Sequence, residues 1–363
     1  MREIIFLADG RDFHAIDWYK TVAKICKTRK VYLAADIFEA ESRTHLLNDS
    51  DNIISLYKID KWLLNSQSSF GNLWRNFIKI IFFPIQVFRL KKIAKQHPNA
   101  IFHAHTMYYL FIAWLAGIEY IGSPQGDEIL IRPYSSKLYH FFARKCLIHA
   151  KYLIVDSENL KKGIKKISDK DADIIQYGID VAAITKEVNL NNDREDIVSI
   201  RAWYPLYRIA QIVEERNLHS PTLSLTFFFP FSEEGYVHKI NSLLKQDDKI
   251  LGRLPEKRDV YKLLSKSKLV ISIPLSDSSP RSVYESIFCG CAVAVTYNPW
   301  IDNLPSCMKK RIVVVDITKP KWLRYAINCS EIILRERYLP SEEALDIFDQ
   351  ERSMSKVATK YYV

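Results

Sequence analysis

The sequence is poor in glycine, with 10 in 363 residues, and none of them falls into Gly-x-Gly-x-x-Gly or Gly-x-x-x-x-Gly-Lys-Ser/Thr. That removes the backbone cradles on which dinucleotide oxidoreductases and P-loop phosphotransferases rely, so bound phosphate would have to be met by helix N-termini and arginines. The six cysteines (Cys26, Cys146, Cys289, Cys291, Cys307, Cys329) contain no Cys-x-x-Cys pair. Cys289 and Cys291 flank a glycine with no further ligand type beside them, so packing is their expected role. His103 and His105 share one side of an apolar run but have no third partner, and no metal is expected there. No hydrophobic leader precedes the first apolar run, and scattered reduced thiols fit a cytoplasmic protein. Repeats, low-complexity tracts, zinc-finger spacing, aromatic ribonucleoprotein motifs and helix-turn-helix signatures are all missing. Despite a formal net charge of +10, nucleic acid is therefore not an expected partner.

What is present is a soluble-protein composition, 48% hydrophobic and 26% charged, in a chain long enough for two domains. Short β-branched runs alternate with helical segments, the pattern of parallel sheets covered on both faces. The first series is EIIFLA, KVYLAA, IISLY, AIFHAH, EYIGS, YLIVDS and DIIQYG. After the polar stretch Lys186–Asp196 the series restarts with DIVSIR, TLSLTFFF, DKILGR, KLVISIPL, AVAVTY and RIVVVD. The expectation is two doubly wound α/β domains, residues 1–185 and 186–345, facing each other across a cleft, with a helix at 346–363 crossing back to the first domain.

Charge is unevenly placed. Between Lys58 and Lys95 eight basic residues (Lys58, Lys61, Arg75, Lys79, Arg89, Lys91, Lys92, Lys95) face one acid, Asp60, and are mixed with aromatic and aliphatic residues. No apolar run there is long enough to span a bilayer. Two readings stay open for residues 74–95: an amphipathic helix in peripheral contact with anionic membrane, or a core-packed helix with solvated lysines.

The most informative stretch is Asp277 followed by SSPRSVYESIFCGCAVAVT, residues 278–296. Ser279 is a capping residue, Pro280 suits the first helical position, and Gly290 marks the stop, which predicts a helix of about three turns between two strands. Asp277 then lies in the loop at the carboxyl end of the first strand, and Glu285 about a turn and a half into the helix. The amides of Arg281, Ser282 and Val283 would face the crevice where open α/β sheets bind ligands. The local pattern also admits an ordinary capped surface helix, and two acids so spaced also admit a hydrolase pair.

The stretch Leu254–Val295 resembles the donor half of retaining GT-B glycosyltransferases of family 4, whose Glu-x7-Glu motif appears here as Asp277 and Glu285, followed by Ser-Ile-Phe-Cys-Gly-Cys-Ala-Val. SIRAWYPLYRI is similar to the first strand and phosphate loop of that family's second domain. Upstream of it LADGRDFHAIDWYKTV, IFHAHTMYYLFIAWLAG, SPQGDEILIRP and QYGID resemble family segments in the same order, so that the resemblance extends along nearly the whole chain. Two positions depart from the pattern. The usual phosphate-loop lysine is missing, leaving Arg208 as the available substitute, and the acceptor-side histidine is replaced by Gln125.

The resemblance implies a metal-independent, retaining transfer from a nucleoside-diphosphate sugar to a glycan or lipid-linked acceptor, in the making of a surface polysaccharide or glycoconjugate, with no cofactor. The catalytic residues it points to are Asp277, Glu285, Arg201 and Asp127. On the donor it places Arg201, Arg208, Arg253, Arg281, Ser282, Val283, Glu285 and Gly10, with Glu285 on the ribose and Asp277 on the sugar hydroxyls. On the acceptor it places His14, His105, Gln125, Asp127 and Glu128. Two alternatives go with the departures: an inactive binding protein for sugar nucleotides or glycans, and another GT-B enzyme such as a sugar-nucleotide epimerase.

Overall fold

The computed structural model describes residues 2–10, 12–37, 52–58, 69–188, 193–229, 231–252, 254 and 256–363, except the side chains of 13, 58, 69–73, 75 and 76. Arg253 and Lys61 lie outside these residues. All thirteen strand segments named above are strands, and they form two separate parallel sheets. The chain divides into two compact units, residues 1–177 with 350–363, and residues 178–349.

In the first unit β1 (Ile4–Asp9), β2 (Val31–Ile37), β3 (Ile53–Lys58), β4 (Ile101–His105), β5 (Tyr120–Ser123), β6 (Tyr152–Val155) and β7 (Asp173–Ile174) lie in the order β3-β2-β1-β4-β5-β6-β7. The helices are α1 (Phe13–Ile25), α2 (Ser69–Gln96), α3 (Met107–Ala116), α4 (Gly126–Leu130), α5 (Arg132–Ser135), α6 (Lys137–His149) and α7 (Glu158–Ser168). The strands are nearly continuous apolar runs because helices cover both faces. On one face α2, α3, α6 and α7 close a core around Leu90, Leu110, Cys146 and Ile164. On the other, Ile16, Trp18 and Val22 of α1 pack with Met354, Val357 and Tyr361.

The second unit repeats the plan. Its strands β8 (Asp196–Ser199), β9 (Thr226–Phe228), β10 (Lys249–Gly252), β11 (Ser267–Ser272), β12 (Ala292–Val295) and β13 (Ile312–Val314) run in the order β10-β9-β8-β11-β12-β13. The helices are α8 (Val181–Glu187), α9 (Ile209–His219), α10 (Glu234–Asn241), α11 (Lys257–Ser265), α12 (Arg281–Phe288), α13 (Ser306–Lys309), α14 (Trp322–Ile333) and α15 (Glu342–Phe348). Ile184 of α8 joins this unit's core with Val283 and Phe348, so the chain leaves the first unit eight residues before the expected boundary at 185. The final helix, α16 (Gln350–Tyr361), belongs to the first unit.

Both sheets have a topological switch. The strand after β1 lies to one side of it and β4 to the other, and β8 stands in the same relation to β9 and β11. The loops leaving the carboxyl ends of such strand pairs diverge and leave a crevice for ligands.

Candidate functional site

The switch of the second unit gathers most of the donor-side residues. Arg201 follows β8, and its Nε donates to Ser272 Oγ at the end of β11 (2.7 Å) while Nη2 donates to Asp277 Oδ2 (2.6 Å). Its guanidinium lies over the Tyr207 ring, 5.5 Å from the centroid. Both charges are largely withdrawn from water, with side-chain exposures of 12% and 18%. Among the described residues no partner takes the Nη1 edge of Arg201. A guanidinium pinned at two of its three nitrogens presents the third in a fixed direction, the geometry that suits a phosphate oxygen. Asp277, assigned from the sequence to sugar hydroxyls, is thus first of all the partner of Arg201.

The loop Pro205–Tyr207, which leads into Arg208, is tied to the loop after β11 by a bond from the Leu275 amide to the Leu206 carbonyl, 2.8 Å. Arg208 is left-handed, φ 54°, where it caps α9. That conformation is costly for a residue with a Cβ, and such residues concentrate at functional sites. Its guanidinium makes no hydrogen bond or ion pair among the described residues. The amide of Ala210, next in the first turn of α9, donates to the Tyr236 hydroxyl (3.0 Å).

The helix after Asp277 is shorter than expected. Pro280 takes the cap position, without a side-chain hydrogen bond, and α12 runs eight residues to Phe288. Its stop follows from Gly290 at φ 86°, where the Gly290 and Cys291 amides return to the Ile287 and Ser286 carbonyls. This pair of bonds needs a left-handed residue, and glycine takes that conformation without strain. Ser279 does not cap; its hydroxyl meets the Tyr284 hydroxyl (3.4 Å). The Val283 amide is spent on the Pro280 carbonyl (2.9 Å), so it is not one of the donors facing the crevice. Glu285 Oε1 accepts from the Tyr261 hydroxyl (3.3 Å) and lies 3.6 Å from Arg281 Nε. The Ser282 hydroxyl is buried with no hydrogen-bond partner among the described residues. Cys289 and Cys291 are buried and packed, with Arg194 donating to the Cys289 carbonyl (2.7 Å).

In the first unit the switch between β1 and β4 brings together Asp12, His105 and Gln125. His105 is buried between Trp18 and Tyr177, at ring distances of 5.4 Å and 5.8 Å. Burial lowers its pKa, against the opposing pull of Asp12. Its Nε2 meets the Gln125 side-chain amide at 3.1 Å, and its Nδ1 faces Asp12 Oδ2 at 3.5 Å. With the amide donating to Nε2, the ring proton sits on Nδ1, toward the carboxylate. Gln125 therefore fills the expected histidine position as a partner of His105. The next residue, Thr106, has φ 78° and ψ 152°, a backbone region that is nearly exclusive to glycine.

Other acceptor-side expectations fare differently. Glu128 is buried, and its Oε2 accepts from the Met107 amide (2.8 Å) and the Gln125 amide (2.9 Å). That corrects its assignment to an acceptor hydroxyl: it clasps the turns after β4 and β5. Burial raises its pKa to about 7, although the two amides oppose the shift. Asp127 is half exposed and paired with Arg132 (2.7 Å). His14 is exposed on α1, and its amide donates to Asp12 Oδ1 (2.9 Å). Gly10 is buried, its amide 3.3 Å from the Asp36 carbonyl. His103 uses both ring nitrogens within the core, on the Tyr362 hydroxyl (2.7 Å) and Ser123 Oγ (2.8 Å). Among the described residues no group of three His, Cys, Asp or Glu side chains could hold a metal ion.

Sequence reasoning missed a polar network beside this switch. Asp9 and Asp36 end adjacent strands in register. Lys79 of α2 bonds Asp9 (2.9 Å), while Asp36 accepts from Tyr109 (2.7 Å) and from Gln86, which in turn accepts from Tyr108. Asp36 is fully buried, and burial raises its pKa to about 7 despite Lys79 nearby. The available signal was the repeated Ala-Asp at the ends of FLAD and LAAD, since a carboxylate closing a buried strand needs partners.

No protein-family model and no curated protein matches this sequence. Solved structures do match it over its whole length. HepE of Anabaena in complex with UDP and glucose is 14% identical, with a TM-score of 0.72 and 100% of both chains covered. Sucrose-phosphate synthase of Thermosynechococcus elongatus is 11% identical, with a TM-score of 0.69 over 100% of this chain and 98% of its own. A candidate UDP-N-acetylglucosamine 2-epimerase of Listeria monocytogenes is 12% identical, with a TM-score of 0.62 over 99% and 96%. At these identities the likeness is one of fold: two Rossmann-like parallel-sheet units, the GT-B class.

Proposed function

We propose that this chain transfers a sugar from a nucleoside-diphosphate donor to a hydroxyl acceptor, and that the diphosphate is held by the loops after β8 and β11. The observation that carries this reading is Arg201, pinned by Ser272 and Asp277 with its Nη1 edge untaken among the described residues, with Arg208 capping the helix that follows the same loop. Transfer breaks the bond from the anomeric carbon to a phosphate oxygen, so negative charge grows on the departing diphosphate. The pinned Arg201 guanidinium stabilises that charge without reorganising during the step, and Arg208 supplies a second cation. Glu285, steadied by Tyr261, is suited to the ribose hydroxyls.

On the acceptor side, Asp12, His105, Gln125 and Asp127 line the carboxyl edge of the first sheet. The acceptor oxygen forms the new bond to the anomeric carbon, and its proton passes to the departing phosphate on the same face, which retains configuration. The acceptor is a glycan or lipid-linked saccharide, and the reaction needs neither cofactor nor divalent metal. A second reading, epimerisation of the sugar nucleotide, is favoured by the likeness to the Listeria structure.

The test is a thermal-shift screen of nucleoside-diphosphate sugars, followed by product analysis with and without saccharide acceptors. A ligand at a hundred times its dissociation constant stabilises by about 2.7 kcal/mol. Stabilisation by a sugar nucleotide that is lost in Arg201→Ala, with product formed only when acceptor is present, supports transfer. Conversion without acceptor supports epimerisation, and no stabilisation by any nucleotide refutes both.

A further inference from the structure

Helices α2, α3 and α6 lie side by side over one face of the first sheet and back onto a single core. Together they span 28, 10 and 13 residues and include no aspartate or glutamate. Against this, α2 carries Arg75, Lys79, Arg89, Lys91, Lys92 and Lys95, and α6 carries Lys137, Arg144 and Lys145. Lys79 is taken by Asp9 and Arg89 by the Leu56 carbonyl. Lys91, Lys92, Lys95, Lys137 and Arg144 make no hydrogen bond or ion pair among the described residues. Lys145 meets only the Phe141 ring, 5.7 Å from its centroid.

The outward side of the same layer is apolar. Phe77, Ile80, Ile81, Pro84, Ile85 and Phe88 are exposed, with Ile80 and Phe88 each 71% accessible. At ~100° per residue these six fall within an arc of about 140°, and Lys91, Lys92 and Lys95 continue the same arc toward the end of α2. On α6 the exposed large apolar residues are Leu138 (68%), Phe141 (53%), Phe142 and Ile148, and Phe142 packs on Trp114 of α3 at 6.2 Å. Because each helix runs antiparallel to its strands, its N-terminal half lies toward the carboxyl edge of the sheet. Phe77, Ile80 and Ile81 of α2 and the exposed rings of α6 therefore sit toward the edge that carries His105 and Gln125, with Phe88 and the free lysines of α2 behind them.

We infer that this three-helix layer docks onto an anionic lipid surface, its exposed rings entering the headgroup boundary and its lysines and arginines meeting the phosphates. An apolar stripe alone would not select an occupant. The absence of any carboxylate across three neighbouring helices does, since a negatively charged, partly apolar surface matches both features at once. No helix among the described residues is long and apolar enough to cross a membrane, so the contact is peripheral. The proposal does not depend on the chain being a transferase.

The experiment is flotation of the full chain with vesicles of phosphatidylcholine alone and with phosphatidylglycerol added, at low and high salt. Binding is expected only with the anionic lipid and is weakened by salt. Lys91→Glu, Lys92→Glu and Lys95→Glu together should lower partitioning by about a hundredfold or more, at about fivefold per charge removed. Ile80→Ser with Phe88→Ser should lower it at both salt concentrations. All five side chains are exposed, so these variants keep the fold, which circular dichroism checks. No binding to purely anionic vesicles at low salt overturns the proposal, as does equal binding by the variants. A concentration-dependent dimer abolished by the serine pair, with no vesicle binding, would assign the layer to a second copy of the chain instead.

Discussion

The arrangement of Arg201, Ser272 and Asp277 makes a prediction that the sequence motif alone does not. If Asp277 acts by holding Arg201, then Asp277→Asn and Arg201→Ala damage the same interaction. A charge-assisted hydrogen bond contributes about 1.5–3 kcal/mol, roughly twice a neutral one. Asparagine still accepts a hydrogen bond, so about half of that is lost. The pair is at most 18% exposed, and solvent screening therefore removes little of it. The expected cost of Asp277→Asn is ~0.8–1.5 kcal/mol, or about four- to twelvefold in affinity for the nucleoside diphosphate. Arg201→Ala removes the cation itself and should cost about a hundredfold. The double variant should bind no more weakly than Arg201→Ala, because the aspartate has nothing left to orient. Titration calorimetry with the diphosphate that stabilises the protein most, in all four proteins, reads the cycle directly. Additive losses would refute the coupling. Unchanged diphosphate affinity in Asp277→Asn, with transfer reduced, would return that carboxylate to the sugar hydroxyls.

Three further outcomes are expected. Arg208→Gly keeps the left-handed backbone and removes the cation, so stability should stay within about 1 kcal/mol of wild type by chemical denaturation while diphosphate affinity falls. Asp36 and Glu128 are each raised to about 7 by burial. Between about pH 4, where these groups titrate in the unfolded chain, and pH 7 the folded protein binds more protons, so stability falls as pH rises, by up to about 1.4 kcal/mol per unit for each group, and levels off above. Glu128→Gln retains an acceptor for both amides and should flatten that slope by one group's share in denaturation curves from pH 4.5 to 8. Asp248, fully buried against Arg216 and also accepting from the Leu225 and Lys245 amides, should cost about 3–5 kcal/mol as Asp248→Ala, leaving a buried guanidinium unpaired.

Strand runs were legible because parallel strands buried on both faces are nearly all apolar, and that signal is local. The boundary of α12 was off by one because proline tolerates both the cap and the first helical position, and only the observed backbone distinguishes them. The residue types of the donor site were also legible, but their pairing was not. Arg201 and Asp277 are 76 positions apart in the chain, and nothing local says that one orients the other. Glu128 was misassigned for a related reason: an acid in a polar loop reads as exposed, whereas here two amides from different turns pull it inward. The Asp9–Lys79 and Asp36–Gln86 contacts depend on where α2 crosses the sheet, which no local pattern specifies.

The return of α16 has a consequence for how the chain becomes a protein. Met354, Val357, Tyr361 and Tyr362 complete the core behind α1, and the Tyr362 hydroxyl closes on His103, 2.7 Å from Nδ1. During synthesis the first unit is therefore made first and finished last. Until residues 350–363 leave the ribosome, Ile16, Trp18 and Val22 have no cover on that side, and the second unit, whose own core calls on nothing from this helix, can fold ahead of it.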